Sequence, residues 1–122
     1  MLLLQGQLID GLRHFRKRMT DYPEVFAAAT GQHLFPGTLN IRVGAPIPPV
    51  EHFRIRGTEI GEPEQDLLFE VCRVNDIWAY RIRPWHLLTH SGGHGDDILE
   101  IAASVELRLS LAGQEIKVGL FR

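Results

Sequence analysis

Thr38 and Asn40 stand two residues apart, directly after the Pro36-Gly37 turn signal and with apolar Leu39 and Ile41 between and beyond them. Proline presets φ near −65° and glycine accepts positive φ, so the chain reverses there and leaves as a strand from Thr38 to Val43. Residues two apart on a strand share a face, which puts the Thr38 and Asn40 oxygens side by side and packs Leu39 and Ile41 behind them. Two neutral oxygen donors beside glycine backbone suit a hydrated Mg²⁺ that keeps waters and phosphates in its shell. The same two side chains can equally satisfy backbone groups of the turn.

Two other groupings carry chemistry. Arg13-His14-Phe15-Arg16-Lys17-Arg18 concentrates positive charge just after a first strand, where it forms a solvated loop or meets a phosphate. His86, His90 and His94 recur every four residues with Asp96 and Asp97 behind them. On a helix the first two would share a face suited to a transition metal, but Gly92-Gly93 breaks that helix and no His-Glu-x-x-His pattern is present. A loop shielding a ligand pocket is the favoured reading. Phe35 and Trp85 can stack on ligand rings, with a core position the expectation for Phe35. Cys72, in the apolar run Leu67–Cys72, reads as a buried packing residue and a poor nucleophile.

The elements that must position these residues are short. Strands are expected over Leu2–Ile9, Thr38–Val43, His52–Arg56, Leu67–Val74, Trp78–Arg83, Ile98–Val105, Glu106–Leu111 and Glu115–Phe121. Asn75-Asp76 provides a hairpin turn, and Pro84 opens a less regular stretch. Pro46, Pro48 and Pro49 mark an extended surface segment. One helix is expected over about residues 22–30. Thr20 or Asp21 caps it, Pro23 sits in its first turn, Glu24 complements its dipole, and Gly31 ends it. Many short strands with one helix predict a mainly β, single-domain, mostly antiparallel barrel.

Composition agrees with one ordinary globular domain: 122 residues, 44% hydrophobic, 23% charged. A net charge of −2 gives nucleic-acid binding no general electrostatic help. The single cysteine excludes an internal disulfide, and no apolar run reaches the length of a membrane helix. A cytoplasmic protein without a membrane partner is the default expectation; the oligomeric state is left open.

The order of these elements resembles the CTP-dependent, archaeal-type riboflavin kinases. The resemblance spans nearly the whole chain. It rests on Gly6 and Gly11-Leu12, on Tyr22 and Phe26, and most specifically on Phe35-Pro36-Gly37-Thr38-Leu39-Asn40-Ile41. Arg83-Pro84, Ile98-Leu99-Glu100-Ile101-Ala102, Leu107-Arg108 and Gly113 continue it. It implies a six-stranded cradle-loop barrel that transfers the γ-phosphate of CTP to riboflavin, giving FMN and CDP, with Mg²⁺ as cofactor. By the same resemblance Thr38 and Asn40 match the metal ligands, and Thr89 and Glu100 match flavin contacts, Thr89 only if an insertion is assumed. Gly11, Leu12, Arg13, Gly37, Val105, Glu106, Leu107 and Arg108 match nucleotide-binding positions. Glu100 can also orient or deprotonate the attacking hydroxyl, unless it is a solvent-facing strand residue.

One departure stands out: Gly11-Leu12 is followed by Arg13-His14-Phe15, not by the family's later glycines. Arg13, Arg16 and Lys17 can supply charge in their place. Two alternatives to the kinase remain. One is a non-catalytic flavin- or nucleotide-binding barrel; the other is a metal-dependent enzyme built on His86, His90 and His94.

Overall fold

A computed structural model describes residues 1–10, 15–86 and 95–122, with only the backbone of His86. Seven strands form one antiparallel sheet: β1 (Leu2–Ile9), β2 (Leu39–Val43), β3 (Phe53–Ile55), β4 (Gln65–Val74), β5 (Ile77–His86), β6 (Ile98–Ala103) and β7 (Ile116–Leu120). Their order is β3-β4-β5-β6-β2-β1-β7, and β4 also pairs with β7. That last pairing closes six strands into a barrel, as expected, and leaves β3 as an extra strand. One edge of β4 is thus divided. Its first half takes β3, with Phe69 opposite Phe53, and its second half takes β7, with Cys72 opposite Leu120.

Alternation along the strands builds two apolar clusters. Leu39, Ile41, Cys72, Val74, Leu99, Ile101, Val118 and Leu120 point into the barrel. Leu67, Phe69, Tyr80, Ile82 and Ala102 point outward and are covered by two helices, α1 (Arg16–Asp21) and α2 (Pro23–Thr30). Phe15, Met19 and Phe26 provide the covering contacts, and all three are buried. A six-residue helix has little stability alone. Burial of a side chain such as Phe15 contributes about 2–3 kcal/mol, so tertiary packing holds α1 in place.

The α2 helix agrees with its sequence signals: Pro23 opens it, Glu24 lies in its first turn, and Gly31 ends it at φ 78°. Its expected cap is corrected. Tyr22 occupies the cap position without a side-chain bond, while Thr20 bonds back to the Arg16 carbonyl and Asp21 pairs with Lys17. Half of the basic run is therefore helix, not loop.

Other expectations change too. Glu106–Leu111 is not a strand: β6 ends at Ala103, and α3 (Leu107–Ser110) follows. Leu107 and Leu111, four residues apart, both insert into the barrel cluster, a helical spacing that the Leu-Arg-Leu-Ser-Leu alternation disguised. β5 continues through Pro84 to His86, past its last pairing with β6 at Arg81. Past that point β5 has no strand partner on the β6 side among the described residues, so the missing proline N–H removes no described ladder bond on that edge. The Asn75-Asp76 hairpin is as expected, with Asn75 at φ 53°. Gly6 is required by close packing, since a Cβ there would lie 2.3 Å from Ile41 Cγ2.

A buried charge cluster anchors the segment 44–52, which has no regular structure. Glu70 accepts bonds from Arg122 at 2.9 and 3.0 Å and from the Val50 N–H, and lies 3.5 Å from Arg81. Arg81 in turn donates to the Ile47 carbonyl at 2.7 Å. Glu70 and Arg81 are each 1% exposed. Removing one member of such a pair strands the other charge in a desolvated site. Glu70→Ala is expected to cost about 3–5 kcal/mol, read as a lowered urea midpoint, and Arg122→Ala distinctly less because Arg122 is more exposed.

Candidate functional site

At one end of the barrel lies a cavity of about 430 Å³. The end of β1, the first residue of α1, the Pro36-Gly37 turn, the start of β2, the end of β6 and α3 all contribute to it. The turn is fixed on two sides. The Phe35 N–H donates to the Ala103 carbonyl at 2.8 Å, and the Gly37 N–H donates to Met19 Sδ at 3.3 Å. Gly37 has φ 113°, a conformation that favours glycine.

The structure brings Gly37, Thr38, Asn40, Val105, Glu106, Leu107 and Arg108 around this one cavity. These residues come from two stretches more than sixty positions apart, joined by the β2–β6 pairing. Glu100 does not line the cavity but lies beneath it, directly opposite Asn40 in that pairing. Leu39, Ile41, Leu99 and Ile101 face the barrel interior, so Asn40 and Glu100 share the outer face. Glu100 is not a solvent-facing strand residue. It is 4% exposed, and burial pushes its carboxyl up to about 7, against smaller opposing effects of the Arg83 cation and the Thr38 hydroxyl.

Asn40 is also 4% exposed. Its Oδ1 and the Thr38 Oγ1 are buried oxygens without a hydrogen-bond partner at bonding geometry among the described residues, although Thr38 is near enough to Glu100 to favour its charged form. Unsatisfied buried oxygens cost free energy, and two of them from residues lining one cavity suit a hard cation. The turn therefore does not use them to satisfy its own backbone. No group of three or more His, Cys, Asp or Glu side chains suited to a metal occurs among the described residues.

Three further side chains change the picture drawn from sequence. Phe35 is 44% exposed and lines the cavity, so it is not a core residue. Its backbone bond to Ala103 holds it over the cavity instead of inside the barrel. Asp10 and Arg16 also line the cavity. Asp10 carried no signal beyond ending a strand. Arg16 was one of several cations in a run, and only the helical turn separates it from Lys17. Lys17 pairs with Asp21 at 2.6 Å, and Arg18 lies 3.7 Å from Glu62, so neither serves the cavity.

Cys72 is buried in the barrel, and burial pushes its thiol up to about 12, as expected for an inert packing residue. Trp85 is half-buried on β5 opposite Asp66. Gly11, Leu12 and Arg13, Thr89, and His90 and His94 with the side chain of His86 lie outside the described residues. No helix among the described residues is long and apolar enough to cross a membrane. No protein-family model matches the chain, and no curated protein matches it significantly.

The raised Glu100 carboxyl makes stability depend on pH. Below about pH 4.5 the group is protonated in both folded and unfolded chains and contributes nothing. Between about 4.5 and 7 the unfolded chain loses the proton while the folded protein keeps it, so stability falls as pH rises. Glu100→Gln is therefore expected to match the wild type at pH 4 and exceed it by roughly 3 kcal/mol at pH 8 in metal-free protein. Urea denaturation of both proteins across that range checks this, and a pH-independent difference would contradict it.

Proposed function

We propose that the protein binds a Mg²⁺–nucleotide in the cavity and transfers its γ-phosphate to the ribityl hydroxyl of riboflavin, giving FMN. CTP is the donor by the resemblance of the Phe35–Ile41 stretch to the CTP-dependent riboflavin kinases. One observation supports the reading: Thr38, Asn40 and the segment 105–108, far apart in sequence, line one cavity, and Glu100 is the strand partner of Asn40.

Phosphoryl transfer depends mainly on positioning and on neutralising negative charge. Mg²⁺, when bound, neutralises phosphate oxygens and aligns them for displacement. Thr38 Oγ1 and Asn40 Oδ1 are the protein oxygens that would hold it. The Gly37 turn and residues 105–108 orient the nucleotide, and Phe35 offers a ring face to a base or a flavin. The flavin hydroxyl oxygen forms a bond to the γ-phosphorus as the bond to the bridging oxygen breaks, and that electron pair leaves with the nucleoside diphosphate. Glu100 accepts the hydroxyl proton. A carboxyl near 7 is matched to this role at neutral pH, since a useful general base titrates near the working pH.

Incubation of purified protein with riboflavin, CTP and Mg²⁺, followed by chromatography of the flavins, is expected to show FMN that disappears with a chelator. Glu100→Gln should lower kcat by on the order of 100-fold. Asn40→Ala should weaken Mg²⁺–nucleotide binding without lowering the urea midpoint, because it removes a buried oxygen that has no hydrogen-bond partner among the described residues. Riboflavin binding with no FMN from any nucleoside triphosphate would replace the kinase with a non-catalytic flavin-binding barrel. A destabilised Asn40→Ala variant with unchanged nucleotide affinity would make Asn40 a structural residue.

A further inference from the structure

The two short helices beside the cavity are built alike. In each, a pair of apolar residues four positions apart is buried: Phe15 and Met19 at α1, Leu107 and Leu111 at α3. In each, the residue after the first anchor is an arginine, Arg16 and Arg108, and both arginines line the cavity. The anchors fix the rotation of each helix, so packing sets the direction in which both arginine side chains leave the backbone. At α1 the anchor also touches the site itself, because Met19 Sδ holds the Gly37 N–H.

Pairing state and position together single out these two: Arg42, Arg56 and Lys117 also have no carboxylate within ion-pair distance among the described residues, but they do not line the cavity. Lys17, Arg18, Arg54, Arg73, Arg81, Arg83 and Arg122 each lie within ion-pair distance of a carboxylate. Neither Arg16 nor Arg108 has such a partner among the described residues, although Asp10 and Glu106 line the same cavity. An arginine held beside a cavity and left unpaired there is suited to an incoming anion, and its planar fork matches phosphate oxygens. The two carboxylates make the cavity mixed in charge, so it selects a compact phosphate chain that reaches both guanidinium groups and not an extended polyanion.

We propose that Arg16, together with Arg108, grips the phosphate chain of the ligand, so that two helix-mounted side chains do the phosphate binding at this site. This deepens the nucleotide reading and rests on it for the identity of the ligand, but the grip itself is testable with a simpler anion.

The experiment is calorimetric titration of the whole chain with inorganic tripolyphosphate and, separately, with Mg²⁺–CTP. The proteins are the wild type, Arg16→Ala, Arg16→Lys, Arg108→Ala and Lys17→Ala, with urea midpoints measured in parallel. Arg16 is exposed, so its variants are expected to fold as the wild type does. Arg16→Ala and Arg108→Ala should each weaken tripolyphosphate binding at least tenfold. Arg16→Lys should recover part of the loss, since it keeps the charge but not the fork. Lys17→Ala, which removes a neighbouring cation paired with Asp21, should change affinity less than twofold. Tripolyphosphate binding that depends on Arg16, with no binding of CTP, would sustain the grip and overturn the nucleotide reading. Absence of tripolyphosphate binding by the wild type, or equal losses in Arg16→Ala and Lys17→Ala, would overturn the grip.

Discussion

The register between β2 and β6 is the constraint on which the site depends. Leu39 and Ile41 on one strand and Leu99 and Ile101 on the other are buried inside the barrel, and that burial places Asn40 opposite Glu100 on the outer face. A one-residue slip of β2 would turn Leu39 and Ile41 outward and the Asn40 amide inward, and a slip of β6 would do the same to Leu99, Ile101 and the Glu100 carboxyl. Several buried aliphatic side chains at about 1.5–3 kcal/mol each outweigh any preference of the two polar groups. The polar groups are thus held where the apolar ones leave them. The Asn40 oxygen left without a partner among the described residues and the raised Glu100 carboxyl are consequences of packing imposed from behind.

The rest of the molecule protects that register. β6 lies between β5 and β2, and β2 between β6 and β1, so neither is an edge strand, and pairing of β4 with β7 closes the sheet around them. The outer aromatic cluster fixes α1 and α2, and through Met19 it reaches the turn that starts β2. At the barrel's other polar locus, Glu70 draws together Arg81, Arg122 and the proline-containing segment before β3. Phe53 stacks on Phe69 at 4.9 Å, which explains why a three-residue strand persists where β7 has left the edge of β4.

Much of this was legible in the sequence, and the exceptions share a physical origin. The barrel class, the helix ending at Gly31, the Asn75-Asp76 hairpin and the buried Cys72 followed from local turn chemistry and alternation. Thr38 stands just before β2 and not within it, and it lines the same cavity as Asn40. Where local pattern and tertiary burial disagree, the sequence misleads. Leu107, Leu109 and Leu111 alternate like a strand, yet Leu109 is 71% exposed and the other two are anchors of a helical turn. Phe35 has a core residue's side chain but is held outside by its backbone bond to Ala103. Arg16 and Arg108 were both legible as phosphate candidates, but which cation of the 13–18 run reaches the cavity was not, because it follows from the helical phase set by Phe15 and Met19. The likeness to riboflavin kinases named Thr38 and Asn40 as metal-ligand candidates, and their buried oxygens, without a partner among the described residues, support that proposal.

The central claim is that the outer face at Asn40 and Glu100 serves a nucleotide and a flavin together. Calorimetric titration of the wild-type protein with CTP, ATP and GTP plus Mg²⁺, each with and without riboflavin, tests it most directly. The account predicts selective CTP binding that tightens when riboflavin is present. Failure to bind any of the three nucleotides in either condition would contradict it.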